Sequence, residues 1–197
     1  MIAYLKGTIT YKSPTKIYIE CGGVGYHVNI SLQTFSKIEN LQESKIYIYT
    51  HINEQAHTLY GFENEIEKEV FLLLISVNGV GPNTARLILS SMNVEELKKA
   101  IIYQEVSLIQ KIKGIGPKTA QRMVLELKDK MDKVQTDDSS YDLTTPTQNK
   151  MNDEAIAALI MLGFPKNHSE KVVGNVTKNQ PSVSSVEELI KLSLKNL

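Results

Sequence analysis

Alternation of apolar and polar residues is the dominant pattern in the first sixty residues of the chain. Ile, Val, Tyr and Thr recur there in short stretches, separated by proline, glycine or asparagine, which is the pattern of β-strands and their turns. Five such stretches at this spacing predict a small barrel or sandwich. The predicted strands cover residues 2–11, 16–21, 25–31, 45–52 and 57–62.

Helical periodicity replaces the strand pattern from residue 64 onward. Asn64 is a residue type that caps helices, and the acidic residues after it complement the positive end of the helix dipole. No strand pattern returns before residue 131. We therefore expect a β-barrel or β-sandwich over residues 1–63 and a helical domain over residues 64–132.

A polar stretch rich in Ser, Thr and Asp covers residues 133–150 and offers almost nothing to bury. Such a composition is typical of a flexible linker. Beyond it, apolar residues at helical spacing predict three short helices over residues 151–197, with Ser184 or Ser185 as the N-cap of the last one. The predicted fold class is multidomain α+β.

Nearly the same nine residues occur twice in the helical domain. Residues 77–85 read VNGVGPNTA and residues 112–120 read IKGIGPKTA, so seven of the nine pairs are identical or exchange one aliphatic residue for another. Each copy lies between two helical patterns. A helix, a Gly-aliphatic-Gly turn and a second helix, in this order, predict a helix-hairpin-helix, and the chain has two of them.

The repeated residues suit a site for phosphate groups. Glycine permits backbone dihedrals that other residues avoid, and the aliphatic residue between the glycines, Val80 or Ile115, is expected to fix the turn to the core. Pro82 and Pro117 suit the first helical position, where an N–H is not needed. The free amides of that first turn form an anion site at the positive helix end. The candidate DNA-binding residues are Gly79, Gly81, Asn83, Thr84, Gly114, Gly116, Lys118, Thr119 and Arg122.

Side chains near the turns extend this interpretation. Thr84 and Thr119 are expected to cap locally, while Lys118 and Arg122 are expected to reach a phosphate oxygen. Groups that contact phosphate do not contact the edges of the bases, so binding should be independent of the DNA sequence. Two hairpins related by pseudo-symmetry can hold both strands across a minor groove. The alternative is that two helical hairpins merely use glycine turns; the second copy and its basic residues favour backbone binding.

Other kinds of chemistry have weaker support. The glycines at 22, 23 and 25 lack the spacing of a dinucleotide site, and a tight hairpin turn is expected there. A nuclease or glycosylase would need a carboxylate cluster or a poised Lys or Asp, yet no aspartate precedes residue 129. The Walker motif of ATPases does not occur. An adaptor that binds ubiquitin-like partners through the tail would leave the hairpins unexplained. We therefore expect a protein without catalytic residues, cofactors or a metal site.

Composition adds only a few constraints. Lys plus Arg equals Asp plus Glu at 22 each, but residues 77–131 contain nine basic and five acidic residues, a mild bias toward a polyanion. Cys21 is the only cysteine, which excludes an internal disulfide, and the four histidines lack metal-ligand spacing. No apolar run could span a bilayer and no signal-peptide pattern begins the chain. We expect a cytoplasmic protein with no membrane partner.

Several longer motifs follow one another along the chain: MIAYLKGTI, CGGVGYHVNIS, LYGFENEIEKEVFLLLISVNGVGP, KGIGPKTAQRMVLELKDK and the LGF of the tail. In their order and spacing they resemble the RuvA family of Holliday-junction-binding proteins, and the similarity covers essentially the whole chain. It implies an oligonucleotide-binding (OB)-like barrel, a tandem helix-hairpin-helix domain and a tethered three-helix, UBA-like domain. It also implies a homotetramer, or an octamer of two tetramers, on an open four-way junction. The implied partners are the RuvB ATPase and the RuvC resolvase.

Two positions depart from the family's pattern. The family usually has adjacent carboxylates in the loop before LYGF, an acidic pin that repels phosphates at the junction centre. Here the loop is shorter, and Glu54 alone is expected to act as the pin. Asn83 stands where the family often has lysine, which removes a charge from the first hairpin.

The resemblance also implies a docking site for the ATPase in the tail. The apolar stripe that starts the three-helix domain is too large for so small a unit to bury completely, so part of it is expected to face a partner. The expected contact residues are Leu159, Leu162 and Phe164.

Overall fold

The computed structural model describes residues 1–134, 148–180, 183 and 185–196, and the chain divides into two compact units, Met1–Asp138 and Ser139–Leu197. The strands of the first unit are β1 (Tyr4–Ser13), β2 (Lys16–Cys21), β3 (Val24–Ile30), β4 (Glu43–Ile52) and β5 (His57–Phe62). Its helices are α1 (Leu32–Ile38), α2 (Glu65–Ile75), α3 (Pro82–Ser91), α4 (Val94–Ile102), α5 (Val106–Gln110) and α6 (Pro117–Asp132). The helices described in the second unit are α7 (Gln148–Met161), α8 (Lys166–Asn179) and α9 (Val186–Lys195).

The five strands form a closed barrel in the order β1-β2-β3-β5-β4, which is one of the two architectures that the alternating pattern predicts. All neighbouring pairs are antiparallel except β3 and β5, whose parallel pairing closes the barrel. The alternation of each strand turns its aliphatic residues inward. The centre of the barrel core consists of Ile17, Ile19, Val28, Ile30, Ile46 and Ile48.

The sequence predicts the glycine turn of the barrel domain but not its short helix. Gly22 and Gly23 have φ values of 59° and 82°, so the glycine stretch is a tight turn between β2 and β3, as expected. Helix α1, in contrast, is not predicted, because so short a helix does not establish periodicity. The Ser31 side chain caps it by accepting from the Thr34 N–H, and Ile38 at its end is buried in the barrel core.

An aromatic cluster joins the barrel to the helical part of the first unit. The ring of Phe71 on α2 lies 4.9 Å from the ring of Phe62 and 5.4 Å from the rings of Tyr49 and Tyr60, measured between centroids. Large aromatic side chains bury much apolar surface and dominate such contacts. Asn64 caps α2 by accepting from the Glu67 N–H, as the sequence predicts.

Glu67 is a buried carboxylate that ties α1 to α2. It accepts hydrogen bonds from the Ser31 hydroxyl at 2.6 Å, the Thr34 hydroxyl at 2.7 Å and the Glu63 N–H at 3.2 Å. Burial raises the pKa of Glu67 above its ordinary value, while the hydroxyl and backbone donors oppose that shift. The contact between α1 and α2 therefore depends on one carboxyl group that is buried away from water.

The helical domain extends slightly beyond residue 132, where the sequence predicts its end. Val134 is buried in the helical core, and the Lys98 ammonium on α4 donates to its carbonyl at 2.6 Å. At the other side of the expected linker, α7 already begins at Gln148. The linker predicted over 133–150 is therefore too long at both ends, and its central residues, 135–147, lie outside the described part of the chain.

The second unit is a small three-helix domain around an aliphatic core. Its fully buried residues include Ala155, Leu159 and Val173. Ser185 caps α9 by accepting from the Glu188 N–H, which decides between the two serines considered for that cap. None of the described helices combines the length and the apolar character that a membrane span needs.

Gly163 ends α7 in a Schellman motif. Its φ is 100°, its N–H donates to the Ile160 carbonyl, and the Phe164 N–H donates to the Leu159 carbonyl at 3.1 Å. This geometry explains the glycine in the LGF sequence, because the left-handed conformation strains other residues. The helix therefore stops with Met161 and Leu162 at its exposed end.

The buried state of Glu67 predicts how stability depends on pH. Because its folded-state pKa is raised, the stabilisation from the protonated form is present below the ordinary glutamate pKa of about 4.3 and is lost as the pH rises through the folded-state value. The unfolding free energy of the natural protein, minus that of Glu67→Gln, should therefore fall as the pH rises above about 4.3. Urea denaturation followed by circular dichroism measures this difference.

Glu69→Gln on the exposed side of α2 is the matched control for the loss of one carboxylate. A Glu67→Gln difference that stays flat over this pH range, once the control is subtracted, would contradict the assignment of Glu67 as a buried acid with a raised pKa.

Candidate nucleic-acid interface

The two hairpin turns have the same backbone structure. In the first, the Val80 N–H donates to the Val77 carbonyl at 3.0 Å, and in the second the Ile115 N–H donates to the Ile112 carbonyl at 3.1 Å. All four of these aliphatic residues are buried in the helical core. Each turn is therefore fixed by one hydrogen bond and a pair of buried side chains, as the repeat predicts.

The two glycines of each turn have different roles. Gly79 and Gly114 have φ values of 94° and 91°, which residues with a side chain rarely adopt. Gly81 and Gly116 have φ values of −85° and −81°, which any residue adopts, so the expectation of special dihedrals is wrong for this second pair. A Cβ added at Gly81 or Gly116 would meet no atom within 4 Å. The second glycine therefore leaves open space in front of the helix N-terminus.

The first turns of α3 and α6 present amides without acceptors. Pro82 and Pro117 occupy the first helical position, and the earliest helical bonds are donated by the Ala85 and Ala120 N–H groups. Within the described residues, the backbone N–H groups that precede those two alanines in each helix have no acceptor. These amides point out of a positive helix end, which is the arrangement that binds phosphate in many proteins.

The threonines do not cap these helices. The N-cap positions, Gly81 and Gly116, have no side-chain hydrogen bond, and the hydroxyls of Thr84 and Thr119 make no hydrogen bond to another described residue. The expectation of local threonine caps is therefore wrong. A threonine cap would have occupied the same N–H groups. Because neither of these two described helices has such a cap, its first N–H groups remain accessible to a ligand.

The polar side chains at the two helix N-termini differ. Lys118 is exposed at the start of α6, beside the exposed Lys111 and Lys113 of the same turn. At the matching place on α3, Asn83 carries no charge, and its Oδ1 accepts from the Tyr60 hydroxyl at 3.2 Å. Positive charge is therefore concentrated at the second hairpin.

Arg122 joins the two hairpins. Its guanidinium donates to the Asn78 carbonyl in the first turn at 3.3 Å and lies 3.8 Å from the carboxylate of Glu126. Thr119 of the second hairpin also approaches the first turn, since its hydroxyl oxygen lies 3.6 Å from the place where a Cβ on Gly79 would be. About half of the Arg122 side chain stays exposed, so it remains available to an anion while it holds the first turn against α6.

The loop that holds Glu54 is a compact turn. It connects β4 to β5 through four residues, and the Asn53 side chain accepts from the N–H groups of Gln55 and Ala56 at 3.0 and 2.8 Å. Glu54 is exposed at the tip. The loop thus presents one carboxylate on a turn that its own hydrogen bonds hold in shape.

The three residues expected to contact the ATPase have different environments. Leu159 is fully buried in the core of the second unit, so it is a core residue, and its assignment as a contact residue is wrong. Phe164 is half-buried against the same core, whereas Leu162 is 60% exposed. Met161, which the sequence did not single out, is 89% exposed. The apolar surface at this end of α7 therefore centres on Met161 and Leu162.

The contrast between the two glycines in a turn predicts their effect on stability. Gly79→Ala should lower the free energy of unfolding by about 1–2 kcal/mol, since an L-residue is strained at that φ. Gly81→Ala is the matched control and should not lower it, because its backbone is ordinary and its Cβ has open space. Chemical denaturation compares the two, and equal stability would contradict this assignment of roles.

Three family models match consecutive parts of the chain. The RuvA N-terminal domain matches residues 1–61, the SAM-like helix-hairpin-helix tandem matches residues 71–129, and the RuvA C-terminal domain matches residues 150–197. The first two matches cover the barrel and both hairpins, and the third covers the second unit.

Curated relatives match over the whole length. Proteins named Holliday junction branch migration complex subunit RuvA from Cytophaga hutchinsonii and Christiangramia forsetii are each 46% identical, over 99% of both chains and 100% of both chains respectively. The protein of that name from Bacteroides fragilis is 45% identical over 202 aligned positions. With an OB-like barrel, a tandem helix-hairpin-helix and identity of this extent, the chain belongs to the RuvA family.

Proposed function

We propose that this protein is the non-catalytic subunit that binds four-way DNA junctions and brings a branch-migration ATPase to them. The observation that carries the proposal is the pair of equivalent helix N-termini, each with unpaired amides and open space in front of it. Its relatives are named as subunits of a Holliday junction branch migration complex, which supports a role in DNA recombination and repair.

The geometry favours contacts with the DNA backbone over contacts with bases. Amides at a helix N-terminus suit a compact anion such as phosphate, and they carry no information about base edges. Two such sites in one compact unit provide one site for each strand of a duplex arm. The second hairpin, with its exposed lysines, then contributes the larger share of the dependence on salt.

The oligomer and its partners form the wider part of the proposal. A junction has four arms, so four copies of the chain, each holding one arm, form a homotetramer with matching symmetry. A second tetramer on the opposite face gives the octamer. The RuvB ATPase docks on the second unit, and the RuvC resolvase acts on the same junction. The name of the relatives as complex subunits supports partner proteins in general.

The first test of DNA binding concerns the space in front of the helices. Gly116→Val should abolish binding to a four-way junction while the fold persists, because the new side chain fills space that no protein atom occupies. Gel shifts with a four-way junction and a linear duplex measure affinity and preference. Gly25→Val, at a glycine outside the hairpins that also has open space, is the matched control. Full-strength binding by Gly116→Val and Gly81→Val would contradict the proposal.

Lys118→Ala tests the charge at the second hairpin. It should weaken binding equally for all sequences and make the slope of log affinity against log salt shallower by about 0.9 for each phosphate that the lysine neutralises in the natural protein. Lys128→Ala, at an exposed position later on α6, is the control and should leave the slope unchanged. An unchanged slope for Lys118→Ala would show that this lysine does not bind a DNA phosphate.

Glu54 is proposed as the acidic pin at the junction centre. Because it is a single exposed carboxylate, its repulsion of phosphate is modest and screened by salt. Glu54→Lys should therefore tighten junction binding at low salt and reduce the preference for junction over duplex. Glu43→Lys, at an exposed carboxylate at the start of β4 and outside this loop, is the control. An unchanged preference for Glu54→Lys at low salt would exclude the pin role.

The end of α7 is proposed as the docking surface for the ATPase. Leu162→Asp should lower stimulation of ATP-driven branch migration by about tenfold or more, roughly 1.4 kcal/mol of docking energy, and leave junction binding intact. Leu194→Asp, at an exposed leucine on α9, is the matched control. If Leu162→Asp supports branch migration as well as the natural chain while circular dichroism shows a folded protein, the ATPase engages another surface.

A further inference from the structure

Tyr60 on β5 places a buried hydroxyl directly beneath the first hairpin. The residue is 4% exposed, and its hydroxyl donates to Asn83 Oδ1 at 3.2 Å. A buried tyrosine hydroxyl requires a partner, and here the partner is the side chain at the start of α3. The barrel thus controls one side chain in the candidate DNA site.

This hydrogen bond fixes which edge of the Asn83 amide faces outward. The side-chain amide has an acceptor oxygen and a donor NH2 group on opposite edges. With Oδ1 held by Tyr60, the NH2 group lies on the free edge, and Nδ2 has no acceptor within the described residues. The exposed edge of Asn83 therefore adds a donor beside the unpaired backbone amides of the same helical turn.

A second contact holds the same helix to the barrel. Arg86, one turn after Asn83, donates from Nη1 to the Thr15 carbonyl at 3.0 Å and to the Ile30 carbonyl at 3.5 Å. Burial raises the pKa of Tyr60, an effect that the positive charge of Arg86 partly offsets, so the hydroxyl keeps its proton at neutral pH. Helix α3 is therefore anchored at two points, and the donor from Tyr60 persists under ordinary conditions.

The second hairpin lacks this arrangement. Lys118 stands in the place of Asn83, is exposed, and makes no hydrogen bond to another described residue. A lysine ammonium is a mobile charge with three donors, so it needs no fixed orientation. An asparagine, in contrast, presents either an acceptor or a donor to a phosphate, and only the donor is favourable.

We propose that Tyr60 is a positioning residue that orients Asn83 so that its Nδ2 donates to a phosphate at the first hairpin. This inference rests on the proposed DNA-binding function and adds a role for a barrel residue outside the hairpin motif. The first hairpin then binds through a fixed neutral donor, whereas the second binds through a mobile charge.

A double-mutant cycle on the full chain tests the inference. Tyr60→Phe and Asn83→Ala should each weaken four-way-junction binding by roughly three- to tenfold, as expected for one hydrogen bond, when measured by fluorescence anisotropy. The double variant should bind as Asn83→Ala does, because Tyr60 acts only through Asn83. Tyr49→Phe, in the same aromatic cluster, is the control and should bind normally.

Rescue by charge separates orientation from a general structural effect. Asn83→Lys should make the salt slope steeper by about 0.9. The Asn83→Lys protein should also bind equally well with and without the additional Tyr60→Phe substitution, because a lysine needs no orienting hydroxyl. The salt slope of Tyr60→Phe alone should equal that of the natural protein.

The outcomes distinguish the inference from the function on which it rests. Unchanged binding by Tyr60→Phe, or effects of the two substitutions that simply add, would overturn the role of Tyr60 and leave the DNA-binding proposal standing. Failure of the natural chain to bind a four-way junction would overturn both.

Discussion

Both hairpins depend on one kind of contact. In each turn, the aliphatic side chain between the two glycines packs into the helical core. Val80 and Ile115 hold their turns down, and the glycine before each residue reverses the chain at a φ that side chains disfavour. The following helix then begins at the surface with a proline, and its first amides face outward. The proposed phosphate site thus arises from backbone geometry.

The barrel and the second hairpin both restrain the first hairpin. Glu67 and the aromatic cluster around Phe71 fix α2 to the barrel, and Arg86 fixes α3. From the other side, Arg122 on α6 donates to the carbonyl of Asn78 in the first turn. In the proposed function, two phosphate sites restrained in this way bind a pair of DNA strands without reorganising the protein. Preorganisation of this kind lowers the entropy lost on binding.

Much of the fold can be predicted because it follows from local patterns in the sequence. Alternation located all five strands, and the repeat located both turns, since a turn of this type needs glycine at a fixed offset. The environment of individual side chains is harder to predict from the sequence. Leu159 and Leu162 fit the same apolar stripe, yet only packing against α8 and α9 makes Leu159 a core residue. The Tyr60 contact with Asn83 likewise joins residues far apart in the chain, which periodicity does not reveal.

The central claim is that backbone amides at the two helix N-termini bind DNA phosphates. A crystal structure of the full chain with a four-way junction tests it most directly. The predicted result is a phosphate oxygen within about 2.7–3.2 Å of the backbone nitrogens of Asn83 or Thr84, and another at those of Lys118 or Thr119. Phosphates that contact only side chains, or that lie away from both turns, would contradict the account.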